Sequence, residues 1–512
     1  MRYIRNLINR RKITKENLFK SKELLDNVNG YSLDKKQRLA VIDSSDSALL
    51  LAGAGSGKTL TIVGKIRYLI EILKIKKEDI LCISFTNDSV NSLKNALLKN
   101  YNYDIDVFTF HKLALNILKD NKNTVNIASS DELDYIITEY FYSNFSGLNI
   151  LEKKEEFYEL KKLIGTFINL FKSNNYDYIK FDEILERLKY GNDYIFIKIV
   201  REIYFEYMSE LKSKNEVDFN DMINDAIKLL NKEGKIKSYK YIIIDEYQDI
   251  SMQRYNFIKE LSDIFSSKIV AVGDDWQAIY GFSGSDVDLF TNFNFLMGYS
   301  EILKITKTYR NSQELVDVAG EFVSKNTQQF QKKLQSIKHL NKPIKIVYYS
   351  TLLENDKKET VISIIQRIIK NDKKGNILIL GRYNEDIEFL IDNKIFRKGT
   401  NDSIVYIPNS NVKIDFLTIH SSKGLGYDNV ILINAINGSH GFPSKIKDEP
   451  IIDVLNKQSK EKIEYPEERR LFYVALTRTK NSIYILTPLA PYSKRSSFVN
   501  EIISNKNVGE LY

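Results

Sequence analysis

The sequence predicts an α/β protein of two parallel-sheet lobes with a cleft between them and a helical insertion in the first lobe. Three observations carry this. Short apolar strands alternate with helical periods over residues 31–111: strands at 48–52, 79–85 and 106–110, with a helix over 89–98. Helical periodicity alone then runs over 112–235, as in FYELKKLIGTFINLF (157–171) and YIFIKIVREIYFEYMSELK (194–212). The alternation returns at 239–249 and 268–275. It continues in a second unit from 301, with strands at 344–349, 376–380, 412–418, 429–434 and 482–487. The expected division is therefore a first lobe of 1–111 and 216–300, an insertion of 112–215 and a second lobe of 301–512. Within the second lobe, 392–411 is polar and holds Pro408, reading as an irregular loop too short to bury a core of its own. Residues 1–30 read as a basic helical lead-in.

A chain of 512 residues exceeds what one core holds, and 43% hydrophobic content with 7 Pro is globular in kind. Cys82 is the only cysteine, which excludes a disulfide framework and a thiolate metal cluster. No apolar run is long enough to span a membrane, and the N-terminus has no apolar signal core, so a cytoplasmic location is expected. Net charge is +8, which permits a polyanionic partner without specifying one.

The chemistry begins at DSALLLAGAGSGKT (46–59). An apolar strand breaks into a small-residue loop, and Lys58-Thr59 open a helix that continues through Ile62, Ile66 and Leu69. That order is a phosphate-binding loop. Without side chains at Gly53, Gly55 and Gly57, backbone N–H groups can turn inward on phosphate oxygens at a helix N-terminus. The candidate nucleotide contacts here are Ala52, Gly53, Ala54, Gly55, Ser56, Gly57, Lys58, Thr59 and Leu60. Lys58 would reach the terminal phosphates and the Thr59 hydroxyl would hold Mg²⁺. In YIIIDEYQD (241–249) two carboxylates follow a buried strand. Asp245 suits Mg²⁺, and Glu246 suits the proton of an attacking water.

With these motifs and VGDDWQAIYGFSG (272–284), the chain resembles a UvrD/Rep-like superfamily 1A DNA helicase. The resemblance extends through YSLDKKQ (31–37), ISFTN (83–87), FTFHKLA (108–114), KTYRNS (307–312), TIHSSKGLGYDNVIL (418–432) and EERRLFYVALTRTK (467–480). DDWQAIYGFSG and GFPSKIKDEP (441–450) are most similar to the helicase IV branch. The resemblance implies two RecA-like lobes, with Gln37 reading the adenine edge, Tyr309 stacking on the base and Gly424 beside the nucleotide. It also implies that Gln277 senses the γ-phosphate and that Arg310 and Arg478 act as arginine fingers. Planar guanidiniums suit the charge that spreads over the γ-phosphoryl oxygens. For DNA it picks out Phe85, Asn87, Thr109, His111, Tyr280, Phe282 and His420. Phe85 and Phe110 also lie in strand-like runs, where core packing is the competing role. His111 and His420 lack a second His or Cys at ligand spacing, which excludes a metal role.

Three positions depart from the family pattern. Asp88 replaces a Lys after FTN, Leu60 an Arg after the P-loop Thr, and Gly426 the acidic or amide residue of KGLE. The implied function is ATP- and Mg²⁺-dependent translocation 3′ to 5′ on single-stranded DNA with unwinding of 3′-tailed duplex. The alternative is a motor of a repair or defence complex, with a protein partner and no unwinding of its own.

Overall fold

In the computed structural model the described residues are 14–121, 125–145, 153–230, 232, 235–350, 355–372, 374–400, 402–446, 449–455, 461–489 and 494–511. The first thirteen residues of the expected lead-in lie outside them; Lys22–Asp26 is helical.

The first sheet has six strands in the order Asp106–Thr109, Ile80–Ser84, Tyr241–Ile244, Lys268–Gly273, Ser47–Ala52, Glu301–Ile305, all parallel. Ser47–Ala52 and Tyr241–Ile244 are buried along their whole length, as expected for apolar runs covered on both faces. Because every strand runs the same way, their C-terminal ends share one edge. The P-loop, Asp245-Glu246 and the Asp274–Gln277 turn leave three neighbouring strands there, and Phe85 and the His111 helix leave two of the other three. The Glu301–Ile305 strand pairs with Ala48–Ala52. This corrects the expected boundary at 300: the short run Glu301–Ile305 has no period that says which of the two sheets it joins.

The insertion is built on helices Glu132–Asn144, Lys154–Ser173, Ile179–Leu188 and Asn192–Ser213 around Phe167, Phe171, Phe181 and Ile203. Its core also takes in Ile451, Ile452 and Leu455 from far along the chain, and the Tyr176 hydroxyl donates to the Leu455 carbonyl at 3.0 Å. A two-residue parallel pair, Asn126–Ile127 with Glu216–Val217, corrects the expectation of no strand in this region; two residues leave no periodic trace.

The second sheet has eight strands, ordered Phe396–Lys398, Ser403–Tyr406, Ile414–Thr418, Ile377–Gly381, Tyr427–Leu432, Thr479–Pro488, Ile344–Tyr349, Val508–Leu511. The last six are parallel, and the first two form an antiparallel hairpin on the edge. The expected irregular loop at 392–411 is therefore partly regular. Phe396, Ile404 and Tyr406 are buried against the sheet. The Val508–Leu511 strand also carried no signal in the sequence. The lobes meet over a common apolar cluster in which Ala54, Trp276 and Ile279 pack with second-lobe residues; Trp276 stands edge-on to Tyr473 at 5.4 Å.

Candidate functional site

A cleft of about 970 Å³ opens between the lobes, lined by Gly55–Thr59, Asp245, Glu246, Gln277, Arg310, Lys423, Gly424 and Arg478. Gly57 takes φ +79° and caps the helix Lys58–Arg67. At Gly55 (φ +68°) a Cβ would lie 2.5 Å from the Arg310 Cβ, so the loop can approach the second lobe only as glycine. The segment just before Arg310 is tied to the loop: Thr308 Oγ1 donates to the Ala54 carbonyl at 2.7 Å and Tyr309 N–H to the Gly55 carbonyl at 2.9 Å. Ala52, Gly53 and Ala54 are buried behind it, and Leu60 is half-buried in the first helical turn.

Lys58 Nζ contacts both carboxylate oxygens of Glu246, at 2.7 and 2.6 Å. Burial works against both charges. The ion pair prevails, holding Lys58 above and Glu246 below their ordinary values, with Lys423 adding to the effect on Glu246. Asp245 goes the other way: burial and then the Glu246 charge lift its carboxyl to about 7. Two adjacent carboxyls are thus driven apart, one a fixed anion and one poised near neutrality.

Arg478 is fully buried. Its Nη2 donates to Gln277 Oε1 at 3.1 Å, and Gln277 Nε2 donates to Asp274 Oδ2 at 2.7 Å. Burial, then the nearby Arg310 charge, lowers the Arg478 guanidinium to about 9. Arg310 Nη2 donates to the Gly424 carbonyl at 3.1 Å, and Gly424 sits at φ +85°. The Gly426 departure is spatial as well: a Cβ there would lie 3.0 Å from Arg310 Nε, so this arginine occupies ground a side chain would take.

The donor set fits a magnesium nucleotide. Ser56 Oγ is buried in the loop with no hydrogen-bond partner, Thr59 is exposed at the helix start, and Asp245 supplies a hard oxygen nearby. Gln37 is placed differently from expectation. It is 1% exposed, its Nε2 donates to the Ser56 carbonyl at 3.0 Å and its Oε1 accepts from Asp34 N–H at 2.8 Å. Its amide braces the P-loop from behind because the capping box of helix Lys35–Ile42 claims the oxygen. Tyr309 is 45% exposed with its hydroxyl donating to Asp34 Oδ2 at 3.1 Å, which leaves a ring face for an adenine.

The DNA candidates fall into two groups. Tyr280, Phe282 and His420 form one aromatic cluster with ring centroids 5.5–6.3 Å apart, Phe282 being 57% exposed. Burial, then Arg382 and Lys423, hold His420 down at about 4. In the first lobe, Phe85 is edge-on to Phe110 at 5.2 Å, with Asn87 exposed and Thr109 half-buried beside them. His111 stands edge-on to Phe219 at 5.4 Å. Phe110 is core, while Phe85 is half-buried and serves both the core and the edge. Phe219, 56% exposed, was missed; an aromatic opening a helix after EVD carries no signal until His111 is seen against it.

Two lysines were also missed. Lys423 Nζ bonds both Asp249 carboxylate oxygens (2.7 and 2.6 Å) and the Gln277 carbonyl (2.7 Å), and lies 4.8 Å from the Tyr280 ring centroid. It connects the acidic strand end, the Gln277 turn and the aromatic cluster. Lys332, its side chain buried, pairs with Asp274 and with Asp275 Oδ1 at 2.5 Å, over the Trp276 ring.

Comparison with known proteins agrees with this geometry. The UvrD/REP helicase N-terminal domain profile matches residues 33–297 and the UvrD-like helicase C-terminal domain profile residues 402–488. DNA helicase IV of Escherichia coli is 30% identical over 93% of this chain and 70% of its own. The ATP-dependent DNA helicase Rep of Buchnera aphidicola is 26% identical over 94% and 73%, and PcrA of Leuconostoc citreum 28% over 66% and 44%. With one profile spanning more than half the sequence and its motifs gathered around one cleft, the chain belongs to the UvrD/Rep helicase family.

Proposed function

We propose that the protein is an ATP- and Mg²⁺-dependent DNA helicase that moves 3′ to 5′ along single strands and unwinds 3′-tailed duplex. One observation carries the hydrolytic part: Arg310 and Arg478 line the same cleft as Lys58 and Glu246, with Gln277 bonded directly to Arg478. Thr59 and Asp245 would hold Mg²⁺, which when bound would supply Lewis acidity and positive charge toward the phosphates. The protein's own groups do the rest. Lys58 and the loop N–H groups bind the phosphates, Glu246 accepts a proton from the attacking water, and Arg310 and Arg478 receive charge that spreads in the transition state. The Lys58–Glu246 pair also links binding to chemistry: a triphosphate competes for Lys58, and as the ammonium swings away Glu246 becomes a stronger base.

The polarity and the unwinding rest on the family resemblance alone; the two aromatic groups support only the binding of single strands, since their faces suit bases of any sequence. ATPase assays with and without single strands, beside strand displacement on 3′- and 5′-tailed duplexes, test the proposal. Glu246→Gln is expected to retain nucleotide binding and lose turnover by about 10²–10⁴; turnover at the parent rate overturns the assignment. DNA-stimulated ATPase without strand displacement would identify a translocase, and displacement of 5′-tailed duplex alone would reverse the polarity.

A further inference from the structure

Among the described residues, several cations with buried side chains face a carboxylate. Lys172 has Asp218 and Asp221, Lys332 has Asp274 and Asp275, Lys423 has Asp249, and Arg470 has Glu461. Arg254 does not. It stands in the first turn of the helix Met252–Phe265, half-buried, with Nε sealed from solvent and bonded to nothing. Its one hydrogen bond is a long one, from Nη1 to the Asp249 carbonyl at 3.5 Å, and the Asp249 carboxylate is taken by Lys423. The guanidinium is positioned instead by aromatic rings, its Cζ 5.1 Å from the Phe85 centroid and 5.7 Å from that of Phe110. Among the described residues, the arginines that line the cleft, Arg310 and Arg478, likewise make no ion pair, and the function proposed above gives them the γ-phosphate as partner.

A guanidinium kept partly out of water and answered by no carboxylate is costly unless an external anion meets its outer N–H groups, Nε itself being sealed. Its surroundings say which anion. Phe85 and Phe110 leave the C-terminal edge of the first sheet, where Asn87 is exposed; His111, next in the chain, meets the exposed Phe219. Burial and the Arg254 charge keep His111 near 4, so at neutral pH the arginine is the charged member of the group. A fixed cation among stacking faces is how a phosphate backbone with splayed bases is held.

We propose that Arg254 is a backbone-phosphate contact for a single DNA strand crossing this edge, its guanidinium held in place by Phe85 and Phe110. The proposal rests on the DNA-binding reading above and adds a contact the motifs do not name. The test is fluorescence anisotropy of labelled oligo-dT against a salt series, with the full chain, for the parent, Arg254→Met and Arg254→Gln. Lys240→Met serves as control, since Lys240 precedes its strand at the opposite edge of the sheet and pairs with Asp79. Losing one phosphate contact is expected to reduce the slope of log K against log salt by about 0.7. Binding at low salt should weaken by about tenfold, and Lys240→Met should keep the parent slope. Arg254→Gln retains a planar polar group over Phe85 and serves if Arg254→Met does not fold. A parent-like slope in the variants overturns the proposal, and so does an equal loss of affinity at every salt, which would mark Arg254 as a base-stacking or structural residue. A parent that fails to bind oligo-dT overturns the DNA-binding reading as well, so the two failures are distinguishable.

Discussion

At the site the decisive contrasts lie between neighbouring side chains. Asp245 and Glu246 are consecutive, yet Lys58 takes the second while burial isolates the first. Asp245 therefore has a measurable signature. Its folded pKa of about 7 exceeds the unfolded value of about 3.9. The folded state thus holds that proton more tightly, and the stability this contributes is fully present below about pH 4 and lost as pH rises through 7. Asp221, Asp249 and Asp286, each lifted to about 6 chiefly by burial, act in the same direction. Calorimetry of the protein without nucleotide or Mg²⁺ should show the melting temperature falling from pH 5 to pH 7.5. Asp245→Asn should flatten part of that fall, and an unchanged slope in this variant would refute the assignment.

At the scale of elements, the segment after helix Gln313–Val323 proves as important as the motifs. The Phe330 carbonyl accepts from Trp276 Nε1 at 3.1 Å, Phe330 N–H donates to Asp275 Oδ2 at 2.7 Å, and Lys332 closes on both aspartates. The whole segment clamps the turn that aims Gln277. Lys332→Met leaves two buried carboxylates without their cation, and removing one partner of such a pair costs about 3–5 kcal/mol. Denaturant unfolding should show a loss of that size, and a loss within about 0.5 kcal/mol, the range of an ordinary surface substitution, would refute the clamp. The hairpin at 396–406 is the corresponding surprise in the second sheet, an edge element that also presents Thr400 to the cleft.

Over the whole molecule, nucleotide binding joins groups from two sheets, so it should stabilise both lobes together. A non-hydrolysable ATP analogue with Mg²⁺ at about 100 times its Kd is expected to add about 2.7 kcal/mol. Lys58→Ala should lose this gain. Arg310→Ala should keep much of it while kcat falls by about 10³, as for an arginine that serves the transition state. A kcat within a few-fold of the parent would remove Arg310 from the catalytic set.

The sequence by itself determined the phosphate loop, the paired carboxylates and most strands of the parallel sheets, while the Gln277 turn was legible only through the family resemblance. Each is a local backbone conformation or a short apolar run whose physics is contained in a few consecutive residues. Packing decided the rest. Gln37 braces the loop because Asp34 and Ser56 flank its amide; Gly426 is compact because Arg310 lies across it; Arg254 is unpaired because Lys423, 169 positions further along, has taken Asp249. The strand at 301–305 joined the first sheet, and 451–455 joined the insertion's core, for the same reason. Motifs encode what neighbours in the chain can do alone. Which charges are answered and which edges are covered depends on residues brought together only when the chain closes on itself.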